Sequence, residues 1–289
     1  MIPRVLIRAA DPALPFSSGA RVALDTRQRH YLTRVLRLSQ GAEVELFDGR
    51  GTRWAARLDS AAESASLVIE AALRATPESP LAIHLGQCLS SADKMDWTIE
   101  KAVELGATTI TPLFSNRSQV RLDEDRARRK LEHWRAVAEA ACMQSGRDVL
   151  PTVEEPSPVA RWIERSADPL RLVLDPRAST TLSACMRANA PGRSPISLLA
   201  GPESGLDDGE LAAARSAGFQ AVSLGPRVLR TETAGLAAIA ALQALAGDFC
   251  ARGTGEASQR PTSAAHAMRF RCPVAGQAAG RDARASATE

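Results

Sequence analysis

Leu224-Gly-Pro-Arg-Val-Leu-Arg-Thr-Glu-Thr-Ala234 and, before it, Leu199-Ala-Gly-Pro-Glu-Ser-Gly205 are the two stretches that decide the fold of this chain. Each begins at the end of a short apolar run, which predicts a buried strand at 196–200 and another at 220–224. An Ala- and Leu-rich helix is predicted after the second loop. In open α/β sheets, ligands bind outside the carboxyl ends of the strands. The two glycine-bearing strand ends therefore predict a ligand site.

The first loop has features of a strand-to-helix turn. Gly201 and Gly205 let a ligand come close to the main chain. Asp207, with Glu210 three residues later, predicts a capping box at the start of a helix. Neither loop matches the dinucleotide fingerprint GxGxxG or the phosphate loop with its Lys and Ser/Thr. On spacing alone, an ordinary βα turn explains the pattern as well as a ligand site does.

Both loops also match a known family. LGPRVLRTETA and LAGPESG resemble the cofactor-binding end of the SPOUT methyltransferases, and in particular the RsmE-type family, which methylates a uridine in small-subunit ribosomal RNA. The resemblance extends over residues 2–248, with further matching segments at 30–38, 46–51, 94–106, 110–112, 115–118 and 144–147.

The resemblance implies two domains. It implies a PUA-like β-barrel that binds RNA over residues 1–74 and a SPOUT α/β domain with a deep trefoil knot over residues 81–250. The pattern of the sequence agrees, because strands and helices alternate from residue 81, as in a parallel sheet covered on both faces. Residues 75–80 have the composition of a linker. The Gly-, Ala-, Ser- and Arg-rich tail, 251–289, is predicted to be disordered.

Apolar patterning predicts the individual elements. In the first domain we expect one helix, at 26–38, a hairpin turn at Asp48-Gly49, and strands at 21–24, 42–47, 52–58 and 66–70. In the second domain we expect strands at 81–88, 108–113, 170–175, 196–200 and 220–224. Helices are expected there at 93–105, 125–145, 179–188, 207–217 and 232–246.

Composition limits the class of protein. A chain of 289 residues with 45% hydrophobic and 24% charged residues is typical of a globular protein with room for two domains. No apolar run approaches the roughly 18 residues that span a bilayer, and the N-terminus lacks a signal-peptide pattern. The five cysteines form no CxxC pair, and the histidines show no ligand spacing. We therefore expect a cytoplasmic protein with reduced thiols, no metal and no membrane contact.

A basic stripe is predicted on the helix of the first domain. Its members follow an i, i+3, i+7, i+10 series and share one helical face: Arg27, His30, Arg34 and Arg37. The opposite face would carry Leu32, Val35 and Leu36. Such a stripe can hold phosphates of an RNA backbone. The alternative is a solvated helix face, since the whole chain is rich in arginine.

The resemblance also implies a cofactor, S-adenosyl-L-methionine, and two partners: 16S rRNA in the small ribosomal subunit and a second copy of the chain, since SPOUT sites are completed by a homodimer. Glu203 either contacts the cofactor or is structural. The residues expected at the cofactor are Leu199, Gly201, Pro202, Glu203, Gly205, Leu224, Gly225, Val228, Leu229 and Thr231.

Methylation at uridine N3 requires loss of a proton, because this N–H is not ionised at neutral pH. A site can stabilise the uracil anion with an arginine beside O2 or O4, or remove the proton with a carboxylate. We expect Arg227 and Arg230 to stabilise the anion. Glu232 is a candidate base. The alternative for Glu232 is a first-turn glutamate that complements the helix dipole.

Two departures from the family pattern leave alternatives open. Ser204 replaces a glycine of the usual GPEGG, and it fits only if that position has a negative φ. Met143 stands where the family often has a glutamate. One alternative function is a SPOUT ribose 2′-O-methyltransferase. A second is a non-catalytic RNA-binding factor of ribosome assembly.

Overall fold

A computed structural model of the chain describes residues 2–7, 16–61, 64–118, 123–190 and 192–249. The predicted disordered tail, 251–289, lies outside these residues. No helix in the described part of the chain is long and apolar enough to cross a membrane.

The N-terminal region forms a five-stranded sheet with the order β1-β3-β4-β5-β2. Its strands are β1 (Arg4–Leu6), β2 (Arg21–Ala23), β3 (Glu43–Phe47), β4 (Arg53–Ala61) and β5 (Ser64–Leu73). β1 pairs parallel with β3, and the other pairs are antiparallel. A register shift between Ala55 and Ala56 is the kind of irregularity that bends a strand. The sheet is a curled half-barrel, in agreement with the predicted fold class, and β1 is an addition to the predicted strands.

The predicted helix 26–38 is shorter than expected and changes type. An α-helix, α1 (Thr26–His30), continues into a π-helical turn, Tyr31–Val35. Arg37 then has a left-handed φ of +54°. Of the apolar residues predicted opposite the basic stripe, Leu32 is buried, whereas Val35 is 57% exposed. A π-helical turn holds more residues than an α-helical one, which rotates later side chains off the face counted at 3.6 residues per turn.

The second sheet is parallel and seven-stranded, with the order β12-β10-β11-β6-β7-β8 and β9 paired to β7. Its strands are β6 (Ile83–Cys88), β7 (Thr109–Phe114), β8 (Thr152–Val153), β9 (Ser157–Pro158), β10 (Leu170–Leu174), β11 (Ile196–Ala200) and β12 (Gln220–Val222). β11 is buried along its whole length, as expected for a strand covered on both faces. The five predicted strands are present, and β8 and β9 were not predicted.

Six helices cover this sheet: α2 (Ala92–Glu104), α3 (Glu124–Ser145), α4 (Val159–Arg165), α5 (Leu182–Asn189), α6 (Asp208–Ser216) and α7 (Thr231–Ala246). Buried side chains of α2, α3, α5 and α7 belong to one apolar cluster, and those of α4 and α6 belong to another. The helices therefore lie on both faces of the sheet, as predicted. The five predicted helices are present, and α4 was not predicted. The trefoil knot stays a prediction.

Buried charges join the two sheets. Arg4, in β1, forms an ion pair with Asp148, whose side chain is fully buried in the loop after α3. Asp148 also accepts a hydrogen bond from the backbone N–H of Thr76, in the predicted linker, at 2.6 Å. Arg147 binds Glu78 of the same linker at 2.7 Å. These contacts hold the half-barrel and the linker against the larger sheet.

Candidate active site

Three neighbouring strands place their carboxyl ends together. β12, β10 and β11 are adjacent and parallel, so the loops that follow them emerge at one edge of the sheet. These loops surround a cavity of about 610 Å³. This is the position where ligands bind in open α/β sheets.

Two glycines give the loops their shape. A Cβ atom on Gly201 would lie 3.2 Å from Leu206 Cγ and 3.3 Å from the Leu206 backbone nitrogen, so a side chain here would require Leu206 to shift by a few tenths of an ångström. Gly225 has a φ of +96°, which L-residues with a side chain rarely adopt. Space around Gly225 is open in the described structure, with no atom within 4 Å of a Cβ placed there. Backbone conformation, not crowding, therefore requires glycine at 225.

Thr231 links the two loops. Its hydroxyl donates a hydrogen bond to the carbonyl oxygen of Gly201 at 2.6 Å. The same hydroxyl accepts one from the side-chain amide of Gln87 at 3.2 Å. Thr231 and Gln87 are both buried. The first turn of α7 is thereby fixed to the loop after β11.

Most of the residues predicted at the site line the cavity. Eight of them are from the cofactor set: Gly201, Pro202, Glu203, Gly205, Leu224, Val228, Leu229 and Thr231. Arg227 and Arg230 line it as well. Three predicted residues do not: Leu199, Gly225 and Glu232. Leu199 is completely buried and packs in the apolar cluster on the α4 and α6 side of the sheet.

Lys94 connects Glu203 to Glu232. The Lys94 ammonium group lies 2.7 Å from Glu203 and 3.6 Å from Glu232. The hydrogen bond to Glu203 raises the pKa of Lys94 above its ordinary value, with a smaller contribution from the charge of Glu232. The Oε2 atom of Glu232 is buried and has no hydrogen-bond partner among the described residues. Lys94, at the start of α2, thus holds one carboxylate from the loop after β11 and one from the first turn of α7.

The third loop of the cavity was not predicted from the sequence. Asp175 follows β10, is 5% exposed, and accepts hydrogen bonds from the backbone N–H and the guanidinium of Arg177 at 2.9 and 3.2 Å. Both residues line the cavity. The signal was present, because a strand was predicted at 170–175 and its carboxyl end had to lie at the same edge. The order of the strands, which is needed to place β10 between β11 and β12, cannot be read from the sequence.

Ser204 fits its loop. Among the described residues, positive φ values outside glycine occur only at Arg37 and Ala190, so Ser204 is not strained. Its hydroxyl donates a hydrogen bond to the carbonyl oxygen of Arg117 at 3.1 Å. The Arg117 guanidinium returns one to the Ser204 carbonyl oxygen at 3.4 Å. The replacement of glycine by Ser204 thus adds a contact to the loop after β7.

The four residues of the predicted basic stripe are all exposed. Arg27 and His30 lie in α1 and Arg34 in the π-helical turn, whereas Arg37 follows that turn. The change of helix type means that they do not continue along a single α-helical face.

Two protein-family models match the chain. The model of an RNA methyltransferase domain matches residues 77–243, which include all of the cavity-lining residues. The model of an RNA methyltransferase PUA domain matches residues 24–70, within the half-barrel.

Individual proteins match most of the chain. The ribosomal RNA small subunit methyltransferase E of Buchnera aphidicola subsp. Acyrthosiphon pisum is 33% identical over 228 residues, which are 78% of this chain and 88% of the relative. The protein of the same name from Synechocystis is 36% identical over 232 residues, or 78% of this chain and 74% of the relative.

Two solved structures share the fold. A ribosomal RNA small subunit methyltransferase E from Neisseria gonorrhoeae, bound to S-adenosyl methionine, matches with a TM-score of 0.76 and 37% identity over 86% of this chain and 100% of its own. A Legionella pneumophila methyltransferase in complex with the same cofactor matches with a TM-score of 0.80 and 32% identity over 86% and 99%. The resemblance seen in the two glycine loops is confirmed, and the chain belongs to the ribosomal RNA small subunit methyltransferase E family.

Proposed function

We propose that this protein transfers the methyl group of S-adenosyl-L-methionine to N3 of one uridine in 16S rRNA of the small ribosomal subunit. The observation that carries the proposal is the cavity at the edge of the parallel sheet, where the two loops that match the family supply most of the lining residues. Relatives with 37% and 32% identity hold S-adenosyl methionine in their structures.

The cavity suits such a cofactor. Its volume lies in the range of about 300–1,000 Å³ typical of small-molecule sites. Part of its wall is apolar, formed by Leu174, Leu206, Leu224 and Leu229. Gly201 lines the cavity, so the main chain of its loop is within reach of a ligand. We propose that these loops hold the adenosine part of the cofactor through this apolar wall and through Pro202, Glu203, Gly205, Val228 and Thr231, while Gly225 gives the second loop its shape.

The bound cofactor supplies an activated methyl group, so the protein has mainly to orient the uracil and manage its N3 proton. Arg227 and Arg230 line the cavity and are exposed, which suits groups that contact a nucleotide only after RNA has bound. Their guanidinium groups would stabilise negative charge on O2 and O4 as N3 loses its proton.

Glu232 fits the role of base less directly. Its side chain is 13% exposed and lies 3.6 Å from Lys94 instead of at the cavity wall. We therefore favour the second interpretation, in which Glu232 orders the first turn of α7 and holds Lys94.

We also propose that a second copy of the chain covers part of the cavity and that the N-terminal region binds RNA. Val228 is a cavity-lining residue that is 80% exposed, which favours its being covered by another chain or by RNA. We propose a homodimer in which the partner covers this loop. Arg27, His30, Arg34 and Arg37 are proposed to contact RNA phosphates outside the cavity.

Two measurements test the function. Mapping of modified bases in 16S rRNA from a strain without the protein should show one uridine that has lost its N3 methyl group, restored when the gene is returned. Calorimetry with the purified protein should show binding of S-adenosyl-L-methionine. Loss of a ribose methyl group instead would favour 2′-O-methylation, and absence of cofactor binding would favour a non-catalytic assembly factor.

A further inference from the structure

The cavity carries more positive charge than its cofactor requires. Its charged lining comprises five cationic and two anionic side chains: Lys94, Arg117, Arg177, Arg227, Arg230, Asp175 and Glu203. S-adenosyl-L-methionine itself has a net positive charge, because its sulfonium and ammonium groups outnumber its carboxylate. An excess of cations is unfavourable for that ligand alone. The excess favours a second ligand that is an anion.

Ion pairing shows which cations form the excess. Lys94 is paired with Glu203, and Arg177 is paired with Asp175. In the described part of the chain, no carboxylate forms an ion pair within 4 Å with the guanidinium groups of the other three arginines, Arg117, Arg227 and Arg230, although the charge of Arg117 also acts on Asp207 at longer range, outside the cavity lining. Arg227 and Arg230 share the loop before α7 and are already proposed to face the uracil. Arg117 comes from a different loop, after β7, and has no proposed role.

The position of Arg117 is fixed from two sides. Ser204 and Arg117 exchange the two hydrogen bonds described above, at 3.1 and 3.4 Å. The neighbouring Asn116 donates its backbone N–H to Glu210 and its side-chain amide to Asp207, both at 2.8 Å. The loop after β7 is therefore docked on the loop after β11 and on the start of α6. A guanidinium held in this way loses less conformational entropy when it binds an anion.

We propose that Arg117, positioned by Ser204, binds a backbone phosphate of the RNA next to the nucleotide that enters the cavity. The inference rests on the proposed function, since it names the contact that brings the RNA to this site. A phosphate suits the geometry, because a guanidinium donates to two phosphate oxygens at once and needs no particular base. Ser204 contributes through its hydroxyl, which a glycine at this position lacks.

The test compares the salt dependence of RNA binding for wild type and Arg117→Ala, using a transcript of small-subunit ribosomal RNA. Loss of one phosphate contact should reduce the slope of log K against log salt by about 0.7 to 0.9 and weaken binding on the order of tenfold. The matched control is Arg193→Ala. Arg193 is exposed and precedes β11, so it lies at the opposite edge of the sheet from the cavity. Its loss should leave the slope unchanged.

Cofactor affinity distinguishes the proposed contact from a cofactor contact. Arg117→Ala should keep or slightly increase the affinity for S-adenosyl-L-methionine, because it removes a positive charge near a positive ligand. An unchanged salt slope, or a loss of cofactor affinity with intact RNA binding, would overturn the proposal. If wild type neither binds the transcript nor methylates small subunits, the proposed function itself fails.

The role of Ser204 is tested by Ser204→Gly, alone and combined with Arg117→Ala. The single change should weaken RNA binding less than Arg117→Ala does, because the guanidinium remains. In the double variant Ser204→Gly should add nothing, because its effect acts through Arg117. Additive losses would show that Ser204 does not position Arg117.

Discussion

The positive φ of Gly225 should be needed for cofactor binding but not for folding, and a substitution can test this. Its φ of +96° disfavours any side chain, although there is room for one. We expect Gly225→Val to reshape the loop before α7 and abolish cofactor binding in calorimetry, while circular dichroism shows a folded protein. The matched control is Gly41→Val, since Gly41 has a φ of +78° and equally open surroundings in a turn of the half-barrel. Gly41→Val should lose stability but keep cofactor affinity. Wild-type affinity in Gly225→Val would remove this loop from the site.

Arg230 is the residue on which the proposed chemistry depends most. It is exposed, lines the cavity, and immediately precedes α7 without capping it through its side chain. Its removal should therefore leave the fold intact and lower the rate of methyl transfer. Loss of one donor to a developing anion costs about 3 kcal/mol, or roughly a hundredfold in rate. Arg230→Lys should restore only part of the rate, because lysine lacks the planar fork that spans two acceptors.

The measurement is single-turnover methylation of small ribosomal subunits at saturating cofactor, with cofactor affinity determined in parallel. A charge contact made mainly in the transition state should lower turnover more than substrate binding. If Arg230→Ala loses cofactor affinity but keeps its rate at saturation, Arg230 anchors the cofactor loop, and the stabilising role passes to Arg227.

The stability that the cap at the start of α6 contributes should depend on pH. Asp207 caps this helix, and its carboxylate accepts hydrogen bonds from the backbone N–H of Glu210 and the side chain of Asn116. These bonds, the first of them most strongly, hold the pKa of Asp207 below its ordinary value. A carboxylate with a lowered pKa in the folded state stabilises the fold above its unfolded pKa of about 3.9 and loses this effect as the pH falls through the folded pKa.

We therefore expect the Tm advantage of wild type over Asp207→Asn to be present at pH 6 and to shrink as the pH falls below about 4. Thermal unfolding followed by circular dichroism at several pH values measures this difference. A Tm difference that stays constant across the range would show that the charge of Asp207 does not stabilise α6.

Elements with a long and regular pattern could be predicted from the sequence, and short ones could not. α7 and β11 match their expected ranges within two residues, because a continuous apolar segment specifies its own limits. β8 and β9 have two residues each and carry no period that a pattern can detect. The loops of the site were found by their glycines and their family motif. The contributions of Asp175 and Arg117 depend on contacts between distant strands and loops, which one sequence does not contain.

The ion pair between Arg4 and Asp148 determines how the two sheets are held together. Both side chains are buried, and Arg4 also donates to the carbonyl oxygens of Cys142 and Arg147 at 2.9 and 3.1 Å. Asp148→Ala would remove the carboxylate that Arg4 binds most closely and leave it only Glu45, at 3.4 Å, so the loss should approach the cost of breaking a buried pair, about 3 kcal/mol. We expect this loss in urea unfolding. The control is Asp125→Ala in the exposed pair with Arg128, which should change stability far less. Equal effects of the two changes would contradict a structural role for the buried pair.

The hydroxyl of Thr231 should couple the opening motions of the loop after β11 and the loop before α7. Because it bonds to Gly201 across 30 positions of the chain, neither loop can open locally without breaking the same hydrogen bond. The two loops should then open as one cooperative unit, and their backbone amides should exchange with deuterium at a common opening free energy. In Thr231→Val that unit would divide into two loops that exchange independently.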